Sequence, residues 1–133
     1  MEWSVTSEEI EQAMPAAFDV ANRTLDMWGF SDDEKGQVLG IDPETLRRFQ
    51  SKGLPSEHIG DDLVSRVSLV LGIERGLEVL LGAHEDIGEW VNRSSDAPLF
   101  GGRSPKSVML EGRLDDLREI RAYVDGWCSG DFA

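Results

Sequence analysis

The chain has 133 residues, 26 of them acidic and 13 basic, for a net charge of −13 at pH 7. That length suits one hydrophobic core and is short for two domains. The charge opposes a general electrostatic grip on nucleic acid and favours a basic or electropositive partner. Forty per cent of the residues are apolar, yet no run approaches the ~20 needed to cross a bilayer. With no basic leader at the start and a single cysteine, the expectation is a soluble, cytoplasmic, globular protein without a membrane partner.

Residues 7–29 read as helix. Thr6 and Glu9 have capping-box spacing, and Phe18, Ala21, Leu25 and Trp28 recur at helical intervals before Gly29 ends the element. Pro15 lacks an N–H and clashes with the preceding turn, so a break is expected there. Ser31 and Glu34 form a second capping box, opening a helix that runs through Leu39 and stops at Gly40. Asp42 and Pro43 cap and start the next one. Two short helices around a glycine-containing turn have helix-turn-helix geometry. Leu46 and Phe49 would then face inward, while Arg47, Arg48 and Lys52 face out, where they could meet phosphates or guanine edges. Residues 31–58 carry six acids against four bases, so basic character is confined to one side of one helix.

After the break at Gly53-Leu54-Pro55, the series Ile59, Leu63, Val67, Val70, Ile73, Leu77 and Leu80 describes one long helix through about Leu81. Val64, Leu69, Leu71, Val79 and Leu81 widen its apolar stripe beyond a single face, which suggests a central helix or half of a homodimer interface. Gly72 and Gly76 weaken that helix, and close approach of a neighbour would explain them. A short helix from His84 carries Trp90, and polar residues 92–98 form the main irregular connection. Then comes LFGGRSPKSVMLE at 99–111: a glycine turn exposing Arg103, Ser104 as N-cap, Pro105 at the first helical position, and an apolar patch of Val108, Met109 and Leu110. The last helix, 113–128, places Leu114, Leu117, Ile120, Val124 and Trp127 on one face. No alternating pattern is long enough for a strand, so the fold class is all-α. Residues 1–58 form an N-terminal helix-turn-helix-like part, and 59–133 a long helix with a small C-terminal helical region.

Catalytic chemistry finds no support. His84, Glu85, Asp86 and Glu89 lack a second histidine one turn away, so they read as a surface acidic cluster and not as a zinc site. Cys128 has no basic neighbour to make it a thiolate. Asp61-Asp62 and Asp115-Asp116 read as solvated pairs. Gly101-Gly102 follows no predicted strand and is no phosphate loop. The expectation is a non-enzyme without metal or cofactor.

The order of parts resembles the Xre/MbcA/ParS antitoxin family. The residues that carry the resemblance are LGIDPETLRRF at 39–49, the long helix after it, and residues 99–114 with their GGRSP core, completed by the helix from Arg113. The resemblance implies an all-α, dimeric antitoxin of a type II toxin–antitoxin pair. Such a protein covers the active site of a RES-type toxin that degrades NAD or uses it for ADP-ribosylation, and often represses its own operon. A pocket that accepts the pyrophosphate of NAD is electropositive, which suits an acidic inhibitor. The expected toxin contacts are Gly101, Gly102, Arg103, Ser104 and Pro105, then Met109, then Arg113, Tyr123 and Trp127 on the last helix, with Phe132 in the tail. Arg47, Arg48 and Lys52 are the expected contacts to operator DNA. The competing reading is a helix-turn-helix transcriptional regulator whose C-terminal part only dimerises or senses a ligand.

Overall fold

The structure, a computed structural model, describes residues 6–130. Its elements in chain order are α1 (Ser7–Met27), α2 (Asp32–Leu39), α3 (Pro43–Lys52), a 3-10 turn (Ser56–His58), α4 (Asp61–Leu81), α5 (His84–Asn92), α6 (Pro105–Met109) and α7 (Leu114–Ser129). There is no strand among the described residues, and the protein is all-α. None of these helices is long and apolar enough to cross a membrane.

Local chemistry sets most helix ends. Thr6 accepts from the Glu9 amide at 3.1 Å, and Ser31 and Glu34 complete a reciprocal capping box. Asp42 accepts from both the amide and the hydroxyl of Thr45, at 2.9 and 2.7 Å. These donors stabilise the charged carboxylate and hold its pKa below the usual value. Gly40 ends α2 with φ +71°, and the Ile41 amide returns to the Gly36 carbonyl at 2.9 Å. A Cβ at position 36 would collide with the Ile41 carbonyl, so this turn depends on a bare backbone there.

One expectation fails in α1, which continues through Pro15 without a break. Proline forfeits one backbone hydrogen bond and costs about 3 kcal/mol in a helix interior. Met14, Phe18, Ala21 and Leu25 are all buried along the same helix, and burying a large apolar side chain contributes about 1.5–3 kcal/mol. Packing on both sides of Pro15 therefore outweighs the local defect.

The core is built on α4. Its Leu63, Val67, Val70, Ile73 and Leu77 are buried. α7 packs along the side that carries Gly72 and Gly76, and α1 along the side that carries Glu74. The Arg121 guanidinium lies over Gly72, and Val124 fills the space beside Gly76. The two glycines thus do what their spacing suggested. This packing covers one part of α4's broad apolar surface within the chain, while Val64, Leu69, Leu71, Leu80 and Leu81 are only half-buried. Val79 is the large apolar side chain of α4 that stays fully outside, at 73% exposure.

Four charged side chains are buried where sequence periodicity gave no warning. Lys35 pairs with Asp26 and Asp32, joining α2 to α1. Arg66 binds Asp62 at 2.8 Å and donates to the Val38 carbonyl at 3.0 Å, fastening the end of α2 to α4. Asp116, expected in solvent, is instead buried against Arg113 at 2.8 Å. Glu74 accepts from the Trp28 indole N–H at 3.0 Å, while its other carboxylate oxygen has no partner. Burial pushes the Glu74 carboxyl above its ordinary 4.5, with Glu78 adding repulsion and the Trp28 bond and His84 acting in the opposite direction.

Two outcomes follow from this packing. Gly76→Ala should lower stability by about 1–3 kcal/mol because the new methyl runs into Val124. Gly72→Ala meets only the flexible end of Arg121, and should be neutral or stabilising by up to ~1 kcal/mol. Urea denaturation distinguishes the two. For Glu74 the folded-state pKa is the raised one, so its contribution is intact below 4.5 and is lost as pH rises through the folded value. The stability advantage of Glu74→Gln over wild type should accordingly grow from pH 4.5 upward, and a constant difference across that range would contradict the assignment.

Candidate functional site

Two surfaces carry the residues singled out in the sequence. The first is the outer face of α3. Leu46 and Phe49 are buried as expected, and Arg47, Arg48 and Lys52 are exposed. Phe49 packs edge-on against Phe18 and His58, at 6.2 and 4.8 Å between centroids, which fixes the rotation of α3. Elsewhere most cations are consumed by the surrounding acids. Lys35, Arg66, Arg93, Arg103, Lys106, Arg113, Arg118 and Arg121 each bind a carboxylate. Arg47, Arg48 and Lys52 make no such pair among the described residues, so α3 keeps its positive charge in a strongly acidic chain.

The second surface is C-terminal. Between α5 and α6 the chain makes a tied loop. The Ser95 amide donates to the Arg103 carbonyl at 3.0 Å, and the Gly102 amide donates to the Ser95 carbonyl at 2.8 Å. Phe100 and Gly101 both donate to the Ala97 carbonyl, at 2.9 and 3.0 Å. Gly101 and Gly102 adopt φ +58° and +89°, and no atom lies within 4 Å of where a Cβ would stand at either. Backbone conformation, not lack of space, requires glycine here. Gly101, Gly102 and Arg103 are exposed, so the bare backbone faces outward.

α6 anchors the far end of that loop. Ser104 caps it, accepting from the Ser107 amide at 3.1 Å, and Pro105 is buried at the first helical position. Lys106 reaches the Gly29 carbonyl at 3.2 Å and Glu34 at 3.1 Å, and lies 5.0 Å from the Phe30 ring centroid. Glu34 has a lowered pKa chiefly because the Ser31 amide donates to it, with help from Lys106. Arg103 folds back on α6, donating to the Ser107 carbonyl at 3.0 Å and to Glu111 at 2.8 Å.

The expected contact residues do not all share one surface. Met109 is 1% exposed and belongs to the core, because the single buried face of so short a helix needs Val108 and Met109 together. Arg113 is exposed at the N-terminus of α7, where its bond to Asp116 raises its pKa and keeps it charged. Tyr123 lies ten residues further on, about 15 Å along the helix. Tyr123 and Trp127 are half-buried in an aromatic cluster with two residues not anticipated as neighbours, Trp90 and Phe100. Phe100 meets Trp90 at 5.9 Å and Tyr123 at 5.5 Å, both nearly edge-on, and Trp127 lies 6.3 Å from Trp90. The i,i+4 spacing of Tyr123 and Trp127 was visible in the sequence; their partners from α5 and the loop were not. Arg103 and Arg113 thus flank α6, and the aromatic patch adjoins the glycine loop through Phe100. Phe132 lies outside the described residues.

No model of a described protein family matches the chain. Over 120 residues it is 31% identical to an uncharacterized protein, y4oB, of Sinorhizobium fredii (strain NBRC 101917 / NGR234), a match that spans 88% of each chain. The chain belongs to the same family as that protein. A match over most of both lengths takes in α4 together with helices on either side of it.

Among the described residues no group of three His, Cys, Asp or Glu side chains could hold a metal. Cys128 is exposed, with its thiol donating to the Gly76 carbonyl at 3.5 Å. The two surfaces present a glycine turn beside an arginine, an aromatic patch, and a basic stripe without carboxylate partners among the described residues. Arg103 and Glu111 are each about half exposed, at 47% and 45%, and exposed ion pairs contribute little. Arg103→Ala should accordingly change unfolding free energy by less than about 1 kcal/mol, measured by urea denaturation. A larger loss would make Arg103 a structural residue and disqualify it as a probe of binding.

Proposed function

We propose that this protein is the antitoxin of a type II toxin–antitoxin pair, binding a RES-type, NAD-consuming toxin through its C-terminal surface and covering the toxin's active site. The observation that carries the reading is the tied loop at 95–104. It presents two side-chain-free residues and Arg103 on a support held by Phe100, Ser104 and Lys106. A preorganised loop of this kind approaches a cleft closely and loses little freedom on binding. The net charge of −13 supports the same reading, since a pocket built for pyrophosphate attracts an acidic partner. The aromatic patch of Trp90, Tyr123 and Trp127 supplies side chains of the kind that dominate interface energy.

The alternative reading, a helix-turn-helix regulator, is favoured by one observation of its own. The three cations of α3 form a stripe without carboxylate partners among the described residues, which suits contact with operator phosphates. In an antitoxin the two activities coexist on separate surfaces, and autorepression is the reading proposed for α3.

Co-expression with the adjoining reading frame, if it encodes a RES-type protein, tests the first reading. Wild type should restore growth and co-purify with the toxin. Arg103→Glu, and separately a chain ending after Cys128, should hold the toxin less tightly; undiminished rescue by both would exclude this surface. For the second reading, Arg47→Ala/Arg48→Ala should weaken operator binding and reduce the slope of log affinity against log salt by about two. An unchanged slope would remove α3 as the reader, whatever the toxin experiment gives.

A further inference from the structure

The chain turns sharply where α3 ends. Gly53 has φ +90°, and Leu54 and Pro55 after it line a groove together with Phe49 and with Pro15 of α1. The groove has a volume of about 360 Å³, room for roughly a dozen water-sized groups at ~30 Å³ each. Its walls are apolar: Pro15 and Pro55 are half-buried, and Phe49 and Leu54 keep only 2% and 8% exposure. Two cations stand at its rim, Arg48 and Lys52. The Arg48 guanidinium carbon lies 5.9 Å from the Phe49 ring centroid, which holds the charge over one wall. No atom lies within 4 Å of where a Cβ on Gly53 would stand, so the floor is open at the turn.

Charge complementarity decides the occupant. This chain has twice as many acids as bases, yet neither Arg48 nor Lys52 is paired with a carboxylate among the described residues. The other cavities differ on this point. The groove of Asp19, Asn22, Arg23 and Asp26 is lined by polar and charged side chains, with Lys35 bound by two aspartates, and has no apolar wall. The one beside His58 is bordered by Asp42 and Asp62, both engaged by Thr45 and Arg66. Among these grooves of the described residues, the one at the end of α3 combines an apolar wall with uncompensated positive charge.

We propose that this groove binds a small amphipathic carboxylate, an acid carrying one aryl ring or a short alkyl chain. The carboxylate would take paired N–H donors from Arg48 and the point charge of Lys52, while the apolar part lies against Phe49, Leu54 and Pro15. A bare inorganic anion or a DNA phosphate satisfies the cations and leaves the apolar wall unused, and a neutral apolar molecule does the reverse. The site is independent of the C-terminal surface. Because it uses two of the three α3 cations, an occupied groove competes with any anion that α3 contacts.

The test uses the full chain labelled with nitrogen-15, titrated with 4-phenylbutyrate and, separately, with its primary amide. The acid should give saturable shifts at the amides of residues 48–54, with at least about tenfold weaker binding for the neutral amide. Arg48→Gln/Lys52→Gln should weaken the acid by a similar factor, and Arg47→Gln, one position outside the groove, should leave it unchanged. All three are exposed side chains, and an unaltered spectrum elsewhere establishes that each variant is folded. The proposal is overturned if shifts do not saturate by ~10 mM, if the amide binds as well as the acid, or if they map to other residues. Equal weakening by Arg47→Gln would reduce the effect to general electrostatics, and overturns it too.

Discussion

Close contact between α4 and α7 is the constraint on which the rest of the molecule depends. Two glycines inside a central helix each sacrifice up to ~1 kcal/mol of helix propensity, and what they obtain is proximity. Val124 seats against Gly76, the Cys128 thiol reaches the Gly76 carbonyl, and Arg121 lies across Gly72. With α7 drawn in to this depth, Tyr123 and Trp127 are placed where Phe100 and Trp90 can meet them. Phe100 in turn holds the loop that exposes Gly101, Gly102 and Arg103. The candidate binding surface is thus supported by a helix contact a full layer beneath it.

Charge is distributed with a similar division of roles. In a chain with this excess of acid, most cations are bound to a carboxylate. Buried Lys35 and Arg66 act as ties, joining α2 to α1 and to α4, and Lys106 joins α6 to the turn after α1. Arg103 and Arg113 are held by Glu111 and Asp116 at the two ends of the α6 region. On α3 three unpaired cations share one short helix, and that is why an anionic ligand is proposed for it. The acidic remainder of the surface suits a basic partner. The two surfaces therefore call for opposite chemistry.

Helix identity was legible wherever a short-range rule governs it. Thr6, Ser31, Asp42 and Ser104 cap as their spacing implies, and Gly40 and Gly82 end helices where expected. Even a tertiary feature, the close approach at Gly72 and Gly76, could be inferred, because glycine weakens a helix interior and gives in return room for a neighbouring helix. Pro15 misled because a local penalty competes with long-range packing that one segment does not display. Lys35, Arg66, Glu74 and Asp116 were illegible for a related reason: a charged side chain is buried only once its partner arrives from another turn or helix. Met109 shows the limit of reading a site from a motif, since proximity to Gly101–Arg103 in sequence says nothing about which way a helical side chain points. The aromatic patch combines both cases, with the Tyr123–Trp127 spacing visible and the contributions of Trp90 and Phe100 dependent on the fold.

If the tied loop and the aromatic patch adjoining it form one surface for a protein partner, separate from α3, binding should protect the two regions unequally. Hydrogen exchange of the chain, alone and in complex with a RES-type toxin, addresses this directly. Partner binding should slow exchange at residues 99–104 and in the second half of α7, while the amides of α3 exchange as they do in the free chain. Protection centred on α3, with the glycine loop unchanged, would contradict the proposed surface.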